Sequence, residues 1–462
     1  MHIHFFLYLC ATFEIYKSSP NTMNKQILRL AIPSILANIT IPLVGLVDTA
    51  IAGHISDAHA IGGIAIGTML FDLLYWNFGF LRVGTSGMTA QAFGRGDREH
   101  CARLLTQSVG IALIGALLIW ALQWVFVTGV LYLVPCSAEV ATFAKDYFFI
   151  RVWAAPATLS LMAIKGWFIG MQDTVSPMIT DMLVNVVNMV VSYVLAVYTP
   201  LGALGVAYGT VVAQLSGLLL SFIILAVKYR NVCTGLSFIQ LLRDMRGIGR
   251  LMSLNANLFV RSLCFMVVYV GFTSISSIYG DTDLAVCSIL MKLFMLVSYF
   301  VDGFAYAGEA LVGKYIGEAK SSPLASHLSP LASLVRLLFI WSLGVGAVFT
   351  IIFALAYTPM YHMMTSDSIV LTRLDDFTWW LIAMPLVSTL AFMWDGVFTG
   401  ATAGKQIRNA MIWAAIGFVA GYMLTKNYWG VHALFVGYFL HLAARVIYLT
   451  VTWKSVSNQD RS

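Results

Sequence analysis

The sequence predicts an all-α integral membrane protein built from twelve transmembrane helices in two pseudo-symmetric six-helix lobes. Three observations lead there: the composition, the regular return of long apolar runs, and one hexapeptide that occurs twice. Of 462 residues, 60% are hydrophobic and 10% charged, with mean hydropathy +0.84. A soluble domain averages about 45–50% apolar and about 25% charged. Crossing a hydrocarbon core of about 30 Å takes roughly twenty residues of helix. Runs of that length can be drawn twelve times, over residues 26–53, 59–85, 103–132, 142–169, 176–198, 202–227, 250–279, 284–311, 330–357, 374–399, 407–426 and 430–453. They read as helices because a span in lipid must satisfy its own backbone hydrogen bonds. No alternating pattern of the barrel type occurs.

The basic residues orient the spans. Lys17 and Lys25 precede the first run, Arg95, Arg98 and Arg103 follow the second, and Lys228, Arg230, Arg243, Arg246 and Arg250 follow the sixth. Lys314 and Lys320 follow the eighth, Lys405 and Arg408 the tenth, and Lys454 and Arg461 the last. The intervening loops GHISDAHA, YTPLG and YGDTD carry almost none. By the positive-inside rule both termini are expected in the cytoplasm. The net charge of +6 is spread over short loops without a basic tract, so no nucleic-acid partner is expected.

Residues 1–22 have a short apolar core with no basic residue ahead of it, unlike a secretory signal. They read either as an extension upstream of a start at Met23 or as a disordered tail. The cysteines at 10, 101, 136, 233, 264 and 287 form no CxxC pair, and no histidine cluster occurs, so neither a metal site, a disulfide framework nor a cofactor is indicated.

The hexapeptide KGWFIG at 165–170 returns as DGVFTG at 395–400, 230 residues later. Pro156 and Pro385 precede the two copies at nearly matching distances. A second echo pairs GFLRVGTSGMTAQAFG at 79–94 with GFAYAGEALVGKYIG at 303–317. Six spans repeated in the same direction are the pattern of a parallel-repeat transporter. The expected organisation is therefore an N-lobe over 23–227, a cytoplasmic linker over 228–249, a C-lobe over 250–454 and a tail over 455–462.

An ionisable side chain at the bilayer centre costs about 2.5–3.5 kcal/mol, so each one calls for a partner, a cavity or a task. In the first span Asp48 follows Pro42 and Gly45, which loosen the helix. Asn185, Asn188 and Ser192 share one face of the fifth span, and Thr210 and Gln214 lie one turn apart in the sixth. In the eighth, Lys292, Met295, Tyr299, Asp302, Tyr306 and Glu309 recur at steps of three and four as a single stripe. Arg261 and Asp395 are available as its partners. The stripe either braces the C-lobe or binds substrate or protons. A thinner version, Asp72, Tyr75, Gly79 and Arg82, runs along the second span. Lys165 and Asp395, near the ends of their spans, read as helix-end anchors reaching polar surroundings.

PLVGLVDTAIAGHI, TSGMTAQAFG, VDGFAYAGEA and DGVFTGATAGKQIRNAM, in that order, resemble the multidrug and toxic compound extrusion transporters, in particular their DinF-like branch. The resemblance runs from Met23 onward. It implies two six-helix lobes, no enzymatic chemistry, and export of cationic or amphipathic compounds against inward proton or sodium movement. In similar transporters the aspartate of the first helix responds to the cation, and Asp48 stands there. An asparagine and an aspartate four residues apart in the fifth helix and a threonine in the sixth complete that set. Asn188 and Thr210 match, but Ser192 replaces the aspartate. Asp181 is eleven residues from Ser192, about 16 Å along a helix, and cannot substitute. With one carboxylate remaining, protons are favoured over sodium, because charge count tunes how tightly oxygen ligands hold a hard cation. The expected partners are small amphipathic or cationic organic compounds and membrane lipids, and the expected state is a monomer. The alternative is a flippase for a lipid-linked oligosaccharide or cell-wall precursor. It would need a basic central cavity, for which the chain offers Arg82, Lys165, Arg261 and Lys292.

Overall fold

A computed structural model describes residues 20–55, 58–134, 136–233, 247–321 and 330–459, and among them every regular element is helical. Eleven of the helical stretches are long and apolar enough to cross a membrane. Their large side chains point outward in numbers a soluble protein does not tolerate: Leu355 is 82% exposed and Val125 73%. The chain is a multi-pass membrane protein.

Contacts divide the chain into two compact units, one formed by Leu36–Phe93 and Asp97–Asn255, the other by Met1–Ile35, Gly94–Gly96 and Ala256–Ser462. The division cuts the first helix, α1 (Pro20–Ile55). Its early part holds to the second of these units, where Trp341 Nε1 donates to Asn24 Oδ1 at 2.9 Å and Tyr315 Oη to Gln26 Oε1 at 3.2 Å. Past the cut, Thr40 Oγ1 accepts from Asn185 Nδ2 at 2.6 Å, inside the first unit.

The first unit continues with α2 (Ala58–Trp76), α3 (Phe80–Gly94), α4 (Arg98–Leu133), α5 (Ala138–Arg151), α6 (Ala155–Gly170), α7 (Val175–Tyr198) and α8 (Gly205–Lys228). Two spans expected to be continuous are broken. The second divides at Asn77–Gly79, where Asn77 Nδ2 turns back to the Leu73 carbonyl at 2.7 Å and ends α2. The fourth divides at a 3-10 turn, Val152–Ala154, because Pro156 cannot supply a helical N–H and so starts α6. Asp97 and Ser137 cap α4 and α5 through His100 N and Val140 N. The core gathers Trp167, Tyr147, Phe148 and Phe168, with Trp167 Nε1 donating to the Cys101 carbonyl at 2.8 Å.

The other unit holds α9 (Ile248–Ser276) from Ala256 onward, α10 (Asp281–Ser321), α11 (Leu331–Met364), α12 (Ser368–Asp375), α13 (Thr378–Gly400), α14 (Gly404–Trp429) and α15 (His432–Gln459). Its core includes Phe272, Phe294, Phe353, Phe377 and Phe435, with Phe272 and Phe294 meeting Phe435 edge to face. Here α10 is one continuous helix of 41 residues where its counterpart breaks, and Pro385 lies inside α13 where its counterpart opens a helix. Of the expected segments outside the spans, residues 1–19 and 234–246 lie outside the described residues. Pro20–Thr22 already belong to α1, and α15 runs past residue 454 to Gln459.

Candidate functional site

The polar face read in the fifth span is assembled by glycine. A Cβ at Gly209 of α8 would stand 2.2 Å from Ser192 Oγ and 2.7 Å from the Ser192 backbone, and one at Gly205 would stand 2.7 Å from Ala196 N. Only bare backbone lets α7 and α8 close to this distance. The contact seals Asn188, Ser192 and Thr210 inside at 4%, 0% and 6% exposure. Asn188 Nδ2 donates to Thr210 Oγ1 at 3.0 Å, and the Thr210 hydroxyl donates onward to the Val206 carbonyl at 3.0 Å. With its proton committed there, Thr210 can only accept from Asn188, which fixes the orientation of the amide. Asn188 Oδ1 is then left buried without a donor. Ser192 Oγ reaches the Val206 carbonyl at 3.5 Å. Asp48 belongs to α1, but its side chain lies outside the described residues.

The doubled hexapeptide has the same packing duty in each unit. A Cβ on Gly166 would lie 2.2 Å from the Arg82 carbonyl oxygen, and one on Gly170 2.7 Å from that of Ser86. In the other unit Gly396 faces the Ala305 carbonyl at 2.4 Å and Gly400 that of Glu309 at 2.6 Å. The first echo therefore packs backbone to backbone on the second, as small residues four apart allow. The turns that follow also match. Gln172 (φ 62°) and Thr402 (φ 54°) both take the left-handed conformation. The amides of Gln172 and Asp173 donate to the Ile169 and Phe168 carbonyls, and those of Thr402 and Ala403 to Thr399 and Phe398.

The charge that opens each hexapeptide is paired inside its own unit and does not reach past the helix end as an anchor. Lys165 pairs with Asp181 of α7. Asp395 Oδ2 takes Arg261 Nη2 of α9 at 2.8 Å and Arg445 Nη2 of α15 at 2.6 Å. Opposite charge at one motif position is tolerated because different neighbours answer it. The α10 stripe occupies that helix's less buried face: Lys292 is exposed, Tyr299, Asp302 and Tyr306 half-buried, and Glu309 buried. Val297, Val301, Phe304 and Ala307 on the other side enter the core. The structure joins Arg261 to Asp395.

Sequence reasoning missed two clusters. One contains Arg445, a charge inside an apolar run that the rule used for Asp395 would have flagged, together with its neighbour His441. The other follows the α6 turn, where Asp173 accepts from Lys228 Nζ at 2.7 Å, Tyr229 Oη at 2.8 Å and both Ser176 N and Oγ. Burial pushes the Asp173 carboxyl up. The bonds from Lys228, Ser176 and Tyr229 outweigh it and leave the group below the usual carboxylate value. Burial and the Asp173 charge together push the Tyr229 phenol up. Among the described residues no group of three or more His, Cys, Asp or Glu could hold a metal ion.

Comparison with known proteins gives concordant results. The MatE family profile matches residues 33–194 and 258–425, once in each half of the chain. The chain is 32% identical over 438 residues to DNA damage-inducible protein F of Escherichia coli (strain K12), covering 93% of this chain and 92% of the relative. It is 23% identical over 440 residues to Protein DETOXIFICATION 44, chloroplastic, of Arabidopsis thaliana, covering 91% and 80%. Its fold superposes on a crystal structure of MATE in complex with MaL6 with TM-score 0.84 at 17% identity, covering 95% of this chain and 98% of that one.

Proposed function

The chain belongs to the MatE family, and from that premise we propose that it is a proton-coupled antiporter exporting cationic or amphipathic organic compounds across a bacterial cytoplasmic membrane by alternating access. It would work as a monomer with both termini in the cytoplasm, and no substrate bond is made or broken. The observation that carries the reading is the sealed Asn188–Thr210 pair, with neutral Ser192 beside it and one amide oxygen left over.

Three neutral side chains add no charge with which to hold a sodium ion, whereas Asn188 Oδ1 is a ready acceptor for a proton donor. The bond between Thr40 and Asn185 sets the register of α1 against α7. Three spans lie between the two helices, so they run in the same direction. Counting eight residues on from each brings Asp48 to the level of Tyr193, next to Ser192. A protonated carboxyl there can donate to a lone acceptor; an ionised one can only repel it. Loading Asp48 thus favours one packing of α1 against α7 and unloading favours the other. Pro42 and Gly45, with open space around Gly45, supply the bend between Thr40 and Asp48. Export follows if substrate and proton prefer opposite packings.

Transport into proteoliposomes under an imposed proton gradient or an imposed sodium gradient tests the reading. The proton gradient should drive transport by wild type and not by Asp48→Asn. Transport driven by sodium alone, or undiminished in Asp48→Asn, refutes it.

A further inference from the structure

Building on the export reading, we propose that Arg261 and Arg445 form a second substrate subsite that takes the carboxylate of an amphipathic organic anion or zwitterion. The first observation is the charge count. Two guanidiniums converge on one carboxylate, and both bonds end on the same oxygen, Oδ2 of Asp395. Neither guanidinium uses the parallel two-bond fork with which arginine grips a carboxylate, although each carries five donors. The cluster of three is left with a surplus positive charge.

The second observation is where the spare donors lie. Arg445 is 1% exposed, and its Nη1 has no partner; Arg261 Nε has none either. A buried cationic donor without an acceptor is costly, and an anion bound beside Asp395 would offset that cost. Arg261, with 26% of its side chain exposed, gives such a ligand a way in that Arg445 alone does not.

The walls select what accompanies the anion. Phe392 lies under the Arg445 guanidinium at 5.6 Å, and His441 stacks on Tyr438 at 5.7 Å with Phe265 at 6.5 Å. His441 is fully buried beside Arg445 and the Ala414 carbonyl. Aromatic faces next to a guanidinium pair suit a flat apolar body that carries an acid. A cationic group is repelled at this end, so a substrate seated here presents its carboxylate to α9 and α15.

Rhodamine B, a free acid, and its ethyl ester differ only at the group in question. Binding of each to the purified transporter in phosphatidylcholine nanodiscs is read by fluorescence anisotropy. Wild type should prefer the acid by about tenfold, the scale of one charge-assisted hydrogen bond. Arg261→Gln and Arg445→Gln should bring the ratio close to unity, with size exclusion and far-UV circular dichroism reporting on their folding. Asp395→Asn, which removes the competing carboxylate and cannot gain affinity by misfolding, should widen the ratio. Equal affinities in wild type, no acid binding at all, or a ratio unmoved by Asp395→Asn overturns the proposal. So does a preference that disappears when phosphatidylglycerol replaces part of the phosphatidylcholine, which would assign the site to a lipid phosphate. A transporter that exports on a proton gradient yet binds acid and ester equally loses the subsite alone. Acid preference without gradient-driven export removes the transport reading and keeps the subsite.

Discussion

Gly166→Ala puts a methyl carbon 2.2 Å from the Arg82 carbonyl oxygen, 2.9 Å from its carbon and 3.0 Å from its Cα. All three are backbone atoms of a buried helix, so no side chain can rotate out of the way, and α3 and α6 must separate. Overpacking a tight interior costs typically about 1–3 kcal/mol. Against this, replacing a mid-helix glycine by alanine gains about 0.5–1 kcal/mol from the unfolded chain. The net expectation is a loss of about 1–2 kcal/mol. Gly129→Ala is the matched control, a helical glycine with nothing within 4 Å of its added carbon, and it should gain stability. Thermal unfolding in one detergent, followed by far-UV circular dichroism, compares the two. Gly166→Ala equal to or more stable than wild type would refute the packing role assigned to the hexapeptide.

Gly209→Ala should act similarly on α7 and α8, since its methyl meets Ser192 Oγ at 2.2 Å; it should lower both the unfolding temperature and proton-driven export, and normal export would contradict the sealed pair. Lys165→Met should destabilise by about 1 kcal/mol, and the exchanged pair Lys165→Asp with Asp181→Lys should recover most of it in the same unfolding assay. No recovery would mean that Lys165 acts without Asp181. Asp173→Asn leaves Lys228 and Tyr229 without a charged acceptor and should cost about 1.5–3 kcal/mol at neutral pH. Because the folded Asp173 carboxyl is depressed, its contribution is present above the ordinary value of about 3.9 and is lost as pH falls through the folded value. Unfolding of wild type and variant measured across pH should therefore converge only in acid, and a gap that widens in acid would reverse the assigned sign.

Element positions were legible because lipid imposes length and apolarity together, and the structure follows the drawn runs closely. The breaks were not, since Asn77 ends α2 through a bond to its own preceding turn and leaves hydropathy untouched. The repeat showed that the hexapeptide mattered to both halves, but that its glycines meet the other echo is a tertiary fact. The three-and-four spacing on α10 marked one face of that helix, but its burial is graded along the helix, from exposed Lys292 to buried Glu309, which spacing does not reveal. Asn188 and Thr210 were legible as a pair because the resemblance supplied their positions; the direction of the amide was not, as it depends on the Val206 carbonyl. Arg445 carried the same signal as Asp395, a charge inside an apolar run, but that its guanidinium meets the Asp395 carboxylate is a tertiary fact.

Proton release tests the central claim most directly. Rhodamine B ethyl ester, a fixed organic cation, is added to purified transporter in weakly buffered solution while a pH indicator is followed. Wild type should release protons in step with binding, and Asp48→Asn should bind without release. Binding by wild type with no release, or equal release from Asp48→Asn, would contradict an exchange of proton for substrate at that carboxyl.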